Sequence, residues 1–199
     1  NGHQLILNKY PVQLGHVLLI TNEWKEQNGW LDIKDWEAIK EVNKDTSGLW
    51  FFNSGPLAGA SQPHRHIQLL RRDPSELSCP REKWILALNN LNYKNEKFSK
   101  NIILKKFSKS LNEENIHEIY KDLSYNLGLG DPRNDKKPKY PYNLIFTDRW
   151  MIIIKRKTDN LFGISINALG FAGYILVTEN SDIKYLRELG PEKLLEDFL

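Results

Sequence analysis

Apolar residues along the chain occur in short runs that end at Gly, Pro, Asn or Asp, a pattern typical of β-strands joined by turns. The first two runs flank a turn that is marked by Tyr10, Pro11 and Gly15. The third run ends at a turn that contains Gly55. Together the runs predict strands at 4–8, 17–21, 49–53, 64–71, 102–107, 142–147 and 150–155.

Helices are predicted where apolar residues recur every three or four positions. Ile33, Trp36, Ile39 and Val42 have this spacing and predict a helix over 31–43. Comparable segments predict an irregular stretch at 128–141 and helices at 80–92, 112–127, 181–189 and 191–199. Because the strands come in adjacent pairs, the sequence predicts an α+β fold with an antiparallel sheet and helices packed on one side of it.

Composition limits what the chain can bind. Its 199 residues carry 28 Lys and Arg against 25 Asp and Glu, and this net charge of +3 is too small for a general nucleic-acid binder but compatible with an anionic ligand. The single cysteine, Cys79, excludes an internal disulfide and a Cys-rich zinc site. The longest apolar runs, 150–154 and 171–177, are far shorter than the ~20 residues of a membrane span, and no signal peptide opens the chain. We expect a cytoplasmic protein without nucleic-acid or membrane partners.

The residues that can perform chemistry are concentrated between Asn53 and Gln68. Side chains two apart on a strand share a face, so His64, His66 and Gln68 are expected to line up. The small residues at 59–61 leave room for backbone N–H groups to approach an anion, and Asn53 adds an uncharged donor. Neutral imidazole attacks phosphorus near neutral pH. The pattern therefore predicts an imidazole nucleophile beside a phosphate-binding loop.

Two plainer interpretations of the same residues stay open. A His-x-His pair on a strand is a common metal-binding arrangement, although no nearby Cys or acidic residue completes a ligand set. Two histidines with satisfied hydrogen bonds are the ordinary structural alternative. His3, His16 and His117 are interpreted in that way, as structural or surface residues. The combination of small-residue loop and His-x-His-x-Gln is more specific than either part alone.

Three stretches of the chain carry a resemblance to a known family. The central stretch, 53–68, contains the motifs NSG and GASQPHRHIQ; the first, 8–19, contains NKYP and GHVLL; and the last, 142–173, contains YNLI and SINALGFAG. They resemble the ATP adenylyltransferases, also called diadenosine tetraphosphate (Ap4A) phosphorylases, of the histidine-triad superfamily. The likeness is to the branch shared with galactose-1-phosphate uridylyltransferase, which has Gln where the hydrolase branch has a third His.

The resemblance implies a single HIT-like catalytic domain over 1–199, with an antiparallel sheet and helices packed against it. Its motif-bearing core is expected at 1–130, and a C-terminal ATP adenylyltransferase-type segment at 140–199 is expected to complete the sheet. The chain is also expected to lack an N-terminal region that family members usually carry. Uridylyltransferases of this branch often bind zinc through a Cys pair that is missing here, so no metal site is expected.

The resemblance also implies roles for individual residues. His66 is the implied nucleophile that takes up AMP, His64 an orienting neighbour, and Gln68 a ligand of the transferred phosphate. For two of the substrate-binding positions a structural interpretation stays open: Lys9 as a solvated lysine at the end of a strand, and 167–169 as a bend in a strand. Besides Gln68, the positions implied to bind substrate are Asn8, Lys9, Asn53, Ser54, Gly59, Ala60, Ser61, Gln62, Asn167, Ala168, Leu169 and Tyr174.

The implied activity is phosphorolysis of Ap4A to ADP and ATP, with adenylyl transfer in reverse, through an adenylyl-histidine intermediate. Mg²⁺ is expected to travel with the polyphosphate, without a tightly bound cofactor. The implied partners are diadenosine polyphosphates, ATP, ADP and phosphate. The alternatives are a sugar-phosphate nucleotidyltransferase, a dinucleoside polyphosphate hydrolase, and a nucleotide-binding module without turnover. The acceptor, whether phosphate, sulfate or water, is likewise open.

Overall fold

An antiparallel sheet forms the centre of the computed structural model, which describes residues 2–73, 75–88, 95–107 and 113–199, with side chains from 116 in the last range. Within these ranges the main sheet has seven strands: β1 (His3–Leu7), β2 (His16–Thr21), β3 (Gly48–Asn53), β4 (His66–Arg71), β5 (Ile102–Lys106), β6 (Tyr142–Phe146) and β7 (Trp150–Lys155). They lie in the order β1-β2-β4-β3-β6-β7-β5, and each neighbouring pair is antiparallel.

Each strand predicted from an apolar run is present, with bounds that differ by at most two residues. The largest difference is at β4, which begins at His66 instead of at position 64. Just before β4, the loop after β2 forms backbone hydrogen bonds with residues 64 and 65. His64 forms an isolated antiparallel bridge with Glu26, and the N–H of Arg65 donates to the carbonyl of Lys25 (2.8 Å).

The helices within the described ranges are α1 (Ile33–Val42), α2 (Glu82–Ala87), α3 (Glu96–Asn101), α4 (Glu113–Asn126), α5 (Ala168–Ala172), α6 (Ile183–Leu189) and α7 (Pro191–Asp197). The predicted helix at 80–92 is represented by α2, and its positions 89–92 lie outside the described residues. The start of the helix predicted at 112–127 also lies outside them, and α3 and α5 are not predicted. Among the described residues, no helix has the length and apolar character needed to cross a bilayer.

Local signals in the sequence set the first residues of two helices, α1 and α5. Asp32 caps α1: its side chain accepts the N–H groups of Lys34 and Asp35, and Asp35 returns a bond to the N–H of Asp32. Asn167 caps α5 by accepting the N–H of Leu169 (2.8 Å). The strand-bend interpretation of 167–169 is therefore wrong. A two-stranded hairpin of β8 (Asn160–Leu161) and β9 (Ile164–Ser165) precedes α5.

Helices cover both faces of the sheet, which corrects the prediction of one covered side. Trp50, Phe51 and Phe52 are at most 1% exposed, and consecutive strand residues point to opposite faces, so β3 is buried on both sides. One face packs against α1 and α4 through residues such as Trp36 and Tyr120. The other face packs against α2, α3, α5 and α7.

Candidate active site

His66, Gln68 and Asn53 lie on the same face of the sheet, where β3 ends and β4 begins. Phe51 pairs with Gln68 in the β3–β4 ladder, and residues two apart on a strand share a face. His66 is 6% exposed, Gln68 9% and Asn53 1%. Polar side chains buried to this extent need hydrogen-bond partners, and those partners determine what each one offers to a ligand.

The imidazole of His66 is held in one tautomer by its own chain. Its Nδ1 lies 2.8 Å from the carbonyl oxygen of His64, and because a carbonyl only accepts, Nδ1 carries the proton. The lone pair is therefore on Nε2. Burial lowers the pKa of His66, and this effect is larger than the raising effect of the bond to His64. The ring is neutral near neutral pH, as a nucleophilic imidazole must be.

The backbone carbonyl of His64 accepts the hydrogen bond from His66, whereas the His64 ring contacts other residues. The ring Nε2 lies 3.0 Å from Thr21 Oγ1 and 3.2 Å from the carbonyl of Glu23, and the ring stacks on Trp24 with centroids 5.0 Å apart. The prediction that the strand alternation runs through position 64 is wrong, because β4 begins only at His66.

Gln68 is held by His16, a residue that the sequence leaves among structural or surface histidines. His16 is buried at the start of β2, and its Nε2 lies 2.9 Å from Gln68 Oε1. The predicted substrate-binding residue Asn8 lies behind it, with Nδ2 3.3 Å from the ring nitrogens of His16. Strand alternation puts His16 and Leu18 on one face, and the register of β2 against β4, in which Leu18 pairs with Gln68, brings His16 to the Gln68 carboxamide.

Asn53 is oriented by two donors on its oxygen. Its Oδ1 accepts from Nδ2 of Asn143 (2.8 Å) and from the N–H of Ala168 (2.9 Å). Asn143 is held in turn by Arg156, whose Nη1 donates to its Oδ1. Burial lowers the pKa of Arg156 to about 9, so the guanidinium is still charged at neutral pH. With its oxygen engaged twice, Asn53 has its Nδ2–H groups to offer a ligand.

The small-residue loop between β3 and β4 packs against the start of α5. Gly59 has φ +84°, and a Cβ at this position would lie 2.6 Å from the Cβ of Asn167. The N–H groups of Gly59 and Ala60 donate within the loop, at 2.7 and 3.0 Å. The expectation that backbone N–H groups at 59–61 approach an anion is therefore wrong for Gly59 and Ala60, whose N–H groups close the turn. Ser61 and Gln62 are exposed at its far end.

Three other predicted positions have different surroundings. Lys9 is exposed, and its Nζ lies 5.4 Å from the ring centroid of Tyr10. Ser54 is buried, and its Oγ accepts the N–H of Tyr142 (2.7 Å), which ties β3 to β6. Leu169 is a core residue with 1% exposure. The structure therefore brings none of these side chains into the group formed by His66, Gln68 and Asn53.

Tyr174 packs on the same face of the sheet as that group, but near the opposite end of β4 from His66. Its hydroxyl accepts a hydrogen bond from Arg72, which follows the last residue of β4. Arg72 is six residues from His66, about 20 Å at the rise of a strand. A contact between Tyr174 and a group bound at His66 would therefore need an extended ligand.

Metal and thiol chemistry have little support in the described part of the chain. No group of three or more His, Cys, Asp or Glu side chains there is placed to hold a metal ion. Cys79 is buried, and burial raises the pKa of its thiol to about 12. A thiol with that pKa stays protonated and is a poor nucleophile.

Two family models match the chain and together span nearly all of it. The Ap4A phosphorylase N-terminal domain matches residues 1–86, and the ATP adenylyltransferase C-terminal domain matches residues 79–198. The first match contains the His-x-His-x-Gln motif. The second covers more than half of the chain and contains Asn143, Arg156 and α5.

Curated relatives come from Saccharomyces cerevisiae. Diadenosine 5',5'''-P1,P4-tetraphosphate phosphorylase 2 is 26% identical over 212 residues, which cover 94% of this chain and 65% of the relative. Protein APA1 is 28% identical over 205 residues, which cover 92% of this chain and 63% of the relative. The chain thus spans slightly less than two thirds of the length of these relatives.

Solved structures give the same fold. The crystal structure of yeast Ap4A phosphorylase Apa2 superposes with a TM-score of 0.71 and 22% identity, covering 100% of this chain and 71% of that chain. The structure of the same enzyme in complex with Ap4A gives 0.70 and 23%, covering 98% and 71%. At these identities the likeness establishes the architecture of the sheet and helices.

Proposed function

The chain belongs to the family of Ap4A phosphorylases and ATP adenylyltransferases, and we propose that it cleaves Ap4A by phosphorolysis to ADP and ATP. One observation carries the proposal. A neutral imidazole, His66, has Nδ1 engaged by a carbonyl and its lone pair on Nε2. It shares a sheet face with two carboxamides, Gln68 and Asn53, whose oxygens are engaged by other donors.

In the first step, the lone pair of His66 Nε2 attacks the phosphorus next to one adenosine. A nitrogen–phosphorus bond forms, and the bond from that phosphorus to the bridging oxygen breaks. ATP leaves with the electron pair of the bridging oxygen. Since the leaving group is itself a phosphate chain, it needs little protonation, and the step needs no acid beside His66.

In the second step, an oxygen of inorganic phosphate attacks the same phosphorus. The nitrogen–phosphorus bond breaks, its electron pair returns to Nε2, and ADP leaves. Each step is an in-line displacement that inverts the phosphorus, so the two together retain its configuration.

The carboxamides supply uncharged hydrogen-bond donors where charge develops. Gln68 Nε2 and Asn53 Nδ2 donate to the non-bridging oxygens of the transferred phosphoryl group, and they are positioned before the substrate arrives. Mg²⁺ enters as part of the substrate, bound to the polyphosphate. The exposed polar residues Lys9, Ser61 and Gln62 are proposed to contact the remaining phosphates.

The proposed partners are small nucleotides, namely diadenosine polyphosphates, ATP and ADP, together with phosphate. We place the activity in the cytoplasm, and the support for this is a single buried cysteine, which suits a reducing compartment.

The proposal is tested by intact-mass measurement after mixing the chain with magnesium Ap4A in phosphate-free buffer. A gain of one adenylyl group, located on His66 by peptide mapping, is the expected result. His66→Ala should show no adduct. His117→Ala, the same change in α4, is the matched control and should react like the parent chain.

Adding phosphate to the isolated adduct separates the alternative activities. Phosphorolysis releases ADP, whereas hydrolysis releases AMP whether or not phosphate is present. Labelling by a uridine nucleotide in preference to Ap4A would instead indicate a sugar-phosphate nucleotidyltransferase. Binding of Ap4A with no adduct at all would indicate a binding module and contradict the proposal.

A further inference from the structure

The ladder between β3 and β4 stops short of the nucleophile. Its last registered pair is Phe51 with Gln68. If the same register continued, Asn53 would pair with His66, and these two residues lie on opposite sides of the site. Between their backbones lies the side chain of Gln27, which comes from the loop after β2.

The carboxamide of Gln27 is hydrogen-bonded to both backbones. Its Oε1 accepts the N–H of His66 (2.8 Å), and its Nε2 donates to the carbonyls of Asn53 (2.8 Å) and His66 (3.1 Å). The residue is 2% exposed, and its own N–H donates to the carbonyl of Pro63 (2.8 Å). Every hydrogen-bonding group of the side chain is therefore used to hold these strands.

An inserted carboxamide makes the gap between two strands wider than a direct pair would. In an antiparallel ladder, one N–H···O bond of about 2.9 Å joins the backbones. Here two bonds and the width of an amide separate the nitrogen of His66 from the carbonyl oxygen of Asn53. Both side chains point to the same face, so the added width lies between the imidazole and the Asn53 carboxamide, where the proposed reaction places the phosphoryl group.

We propose that Gln27 is a positioning residue: it keeps β3 and β4 apart at the site and fixes the backbone that carries His66. The inference rests on the proposed adenylyl transfer, and Gln27 acts through His66 without touching the reacting atoms. Glutamine suits this place because one side chain must accept an N–H and also donate to two carbonyls. A carboxylate of the same shape can do only the first.

The test is the rate of His66 adenylylation in single-turnover experiments on the full chain at pH 8.0 and pH 6.5. At pH 8.0, Gln27→Glu should react about 100-fold more slowly, because its carboxylate is repelled by two carbonyl oxygens and shifts the nucleophile. Burial raises the pKa of the introduced carboxyl. At pH 6.5, the protonated form regains a donor, and the rate should recover by about fivefold or more. The parent chain should change by less than about twofold, because burial lowers the pKa of His66 below its usual value of about 6.5 and more than half of the imidazole is then neutral at pH 6.5.

Two variants complete the test. Gln27→Asn keeps the carboxamide but shortens its stem, so it should be slow at both pH values without recovery, and circular dichroism checks that each variant folds. Gln4→Glu, on the exposed edge strand β1, makes the same charge change and should match the parent chain.

The outcomes distinguish this inference from the proposed function. Gln27→Glu or Gln27→Asn reacting at the parental rate overturns the inference alone, as does a slow Gln27→Glu that does not respond to pH. A parent chain that forms no adduct overturns the proposed function, and the inference falls with it.

Discussion

The Nε2 atom of His16 lies 2.9 Å from Oε1 of Gln68, and this contact determines which end of the Gln68 carboxamide faces a ligand. The backbone N–H of Val12 approaches His16 Nδ1 at 3.3 Å, and because a backbone N–H only donates, Nδ1 is the acceptor. The ring proton is then on Nε2, which donates to Gln68 Oε1. Gln68 is left with its N–H groups for an anion.

Removing that donor should slow adenylylation without abolishing it. His16→Asn loses the Nε2–H, so the Gln68 carboxamide can rotate, and we expect a loss of about tenfold in rate. His16→Gln places a donor nitrogen close to the position of the imidazole Nε2 and should keep most of the activity. Single-turnover mass measurements compare the two.

The same change in a Gln68→Ala background shows whether His16 acts through Gln68. In that background His16→Asn should cost almost nothing more, because the group it positions is already gone. Additive losses in the double variant would contradict the positioning role.

Gln68→Glu should damage the reaction more strongly than any change at His16. The substitution replaces a carboxamide that donates an N–H with a carboxylate that repels the anionic phosphoryl group. Loss of one such donor costs about 10²–10³-fold in rate. The rate of adduct formation measures the effect. If Gln68→Glu forms the adduct as fast as the parent chain, Gln68 does not contact the transferred phosphate.

The two buried histidines should make the fold less stable in mild acid. Burial lowers the pKa values of His16 and His66 below 6.5 in the folded chain. Between the folded-state and the unfolded-state pKa of each histidine, the folded chain therefore binds fewer protons than the unfolded chain. The free energy of unfolding is then constant above the unfolded pKa and falls as the pH drops through it. Urea midpoints should be level down to about pH 7 and decline below it.

Replacing both histidines removes their titration, so His16→Gln combined with His66→Asn should flatten this decline between pH 7 and 5.5. A midpoint for the parent chain that increases over the same range would contradict the assigned direction of the pKa shifts.

Gly59→Ala and Gly128→Ala form a matched pair that tests the contact between the small-residue loop and α5. Both glycines have positive φ, +84° and +75°, but a Cβ at Gly128 meets nothing within 4 Å, whereas one at Gly59 meets Asn167. Gly128→Ala should cost about 1–2 kcal/mol from backbone strain alone. Gly59→Ala should cost about 1–3 kcal/mol more and also slow adduct formation. Thermal unfolding and the adduct assay measure the two effects, and equal losses would show that the loop yields to the extra atom.

The strands are the part of the fold that the sequence predicts well. Runs such as 49–53 and 150–155 are apolar at nearly every position and end at turn residues, so neither a helix nor a loop accommodates them better. The same runs also indicate that both faces of the sheet are covered, which the prediction of one covered side overlooked. Because successive residues point to opposite faces, an uninterrupted apolar run leaves no face suited to solvent.

The site is predicted less completely, because its contacts join residues far apart in sequence. His66 and Gln68 stand out by their motif, but His16 is 52 residues from Gln68 and Gln27 is 39 residues from His66. These contacts depend on the register of β2 against β4 and on the path of the loop after β2. Neither is encoded in local propensity, and a buried glutamine in a loop has no periodic signal that marks it.

The partner that holds His66 is a neutral carbonyl dipole, and this bears on the energetics of the proposed covalent adduct. A carboxylate in the same place would stabilise a cationic ring and so would make the loaded enzyme an energetic minimum. With a carbonyl, the bound adenylyl group keeps a high group-transfer potential. In the proposed reaction, the cation formed at His66 is then stabilised less than it would be beside a carboxylate, and the adenylyl group passes to phosphate more readily.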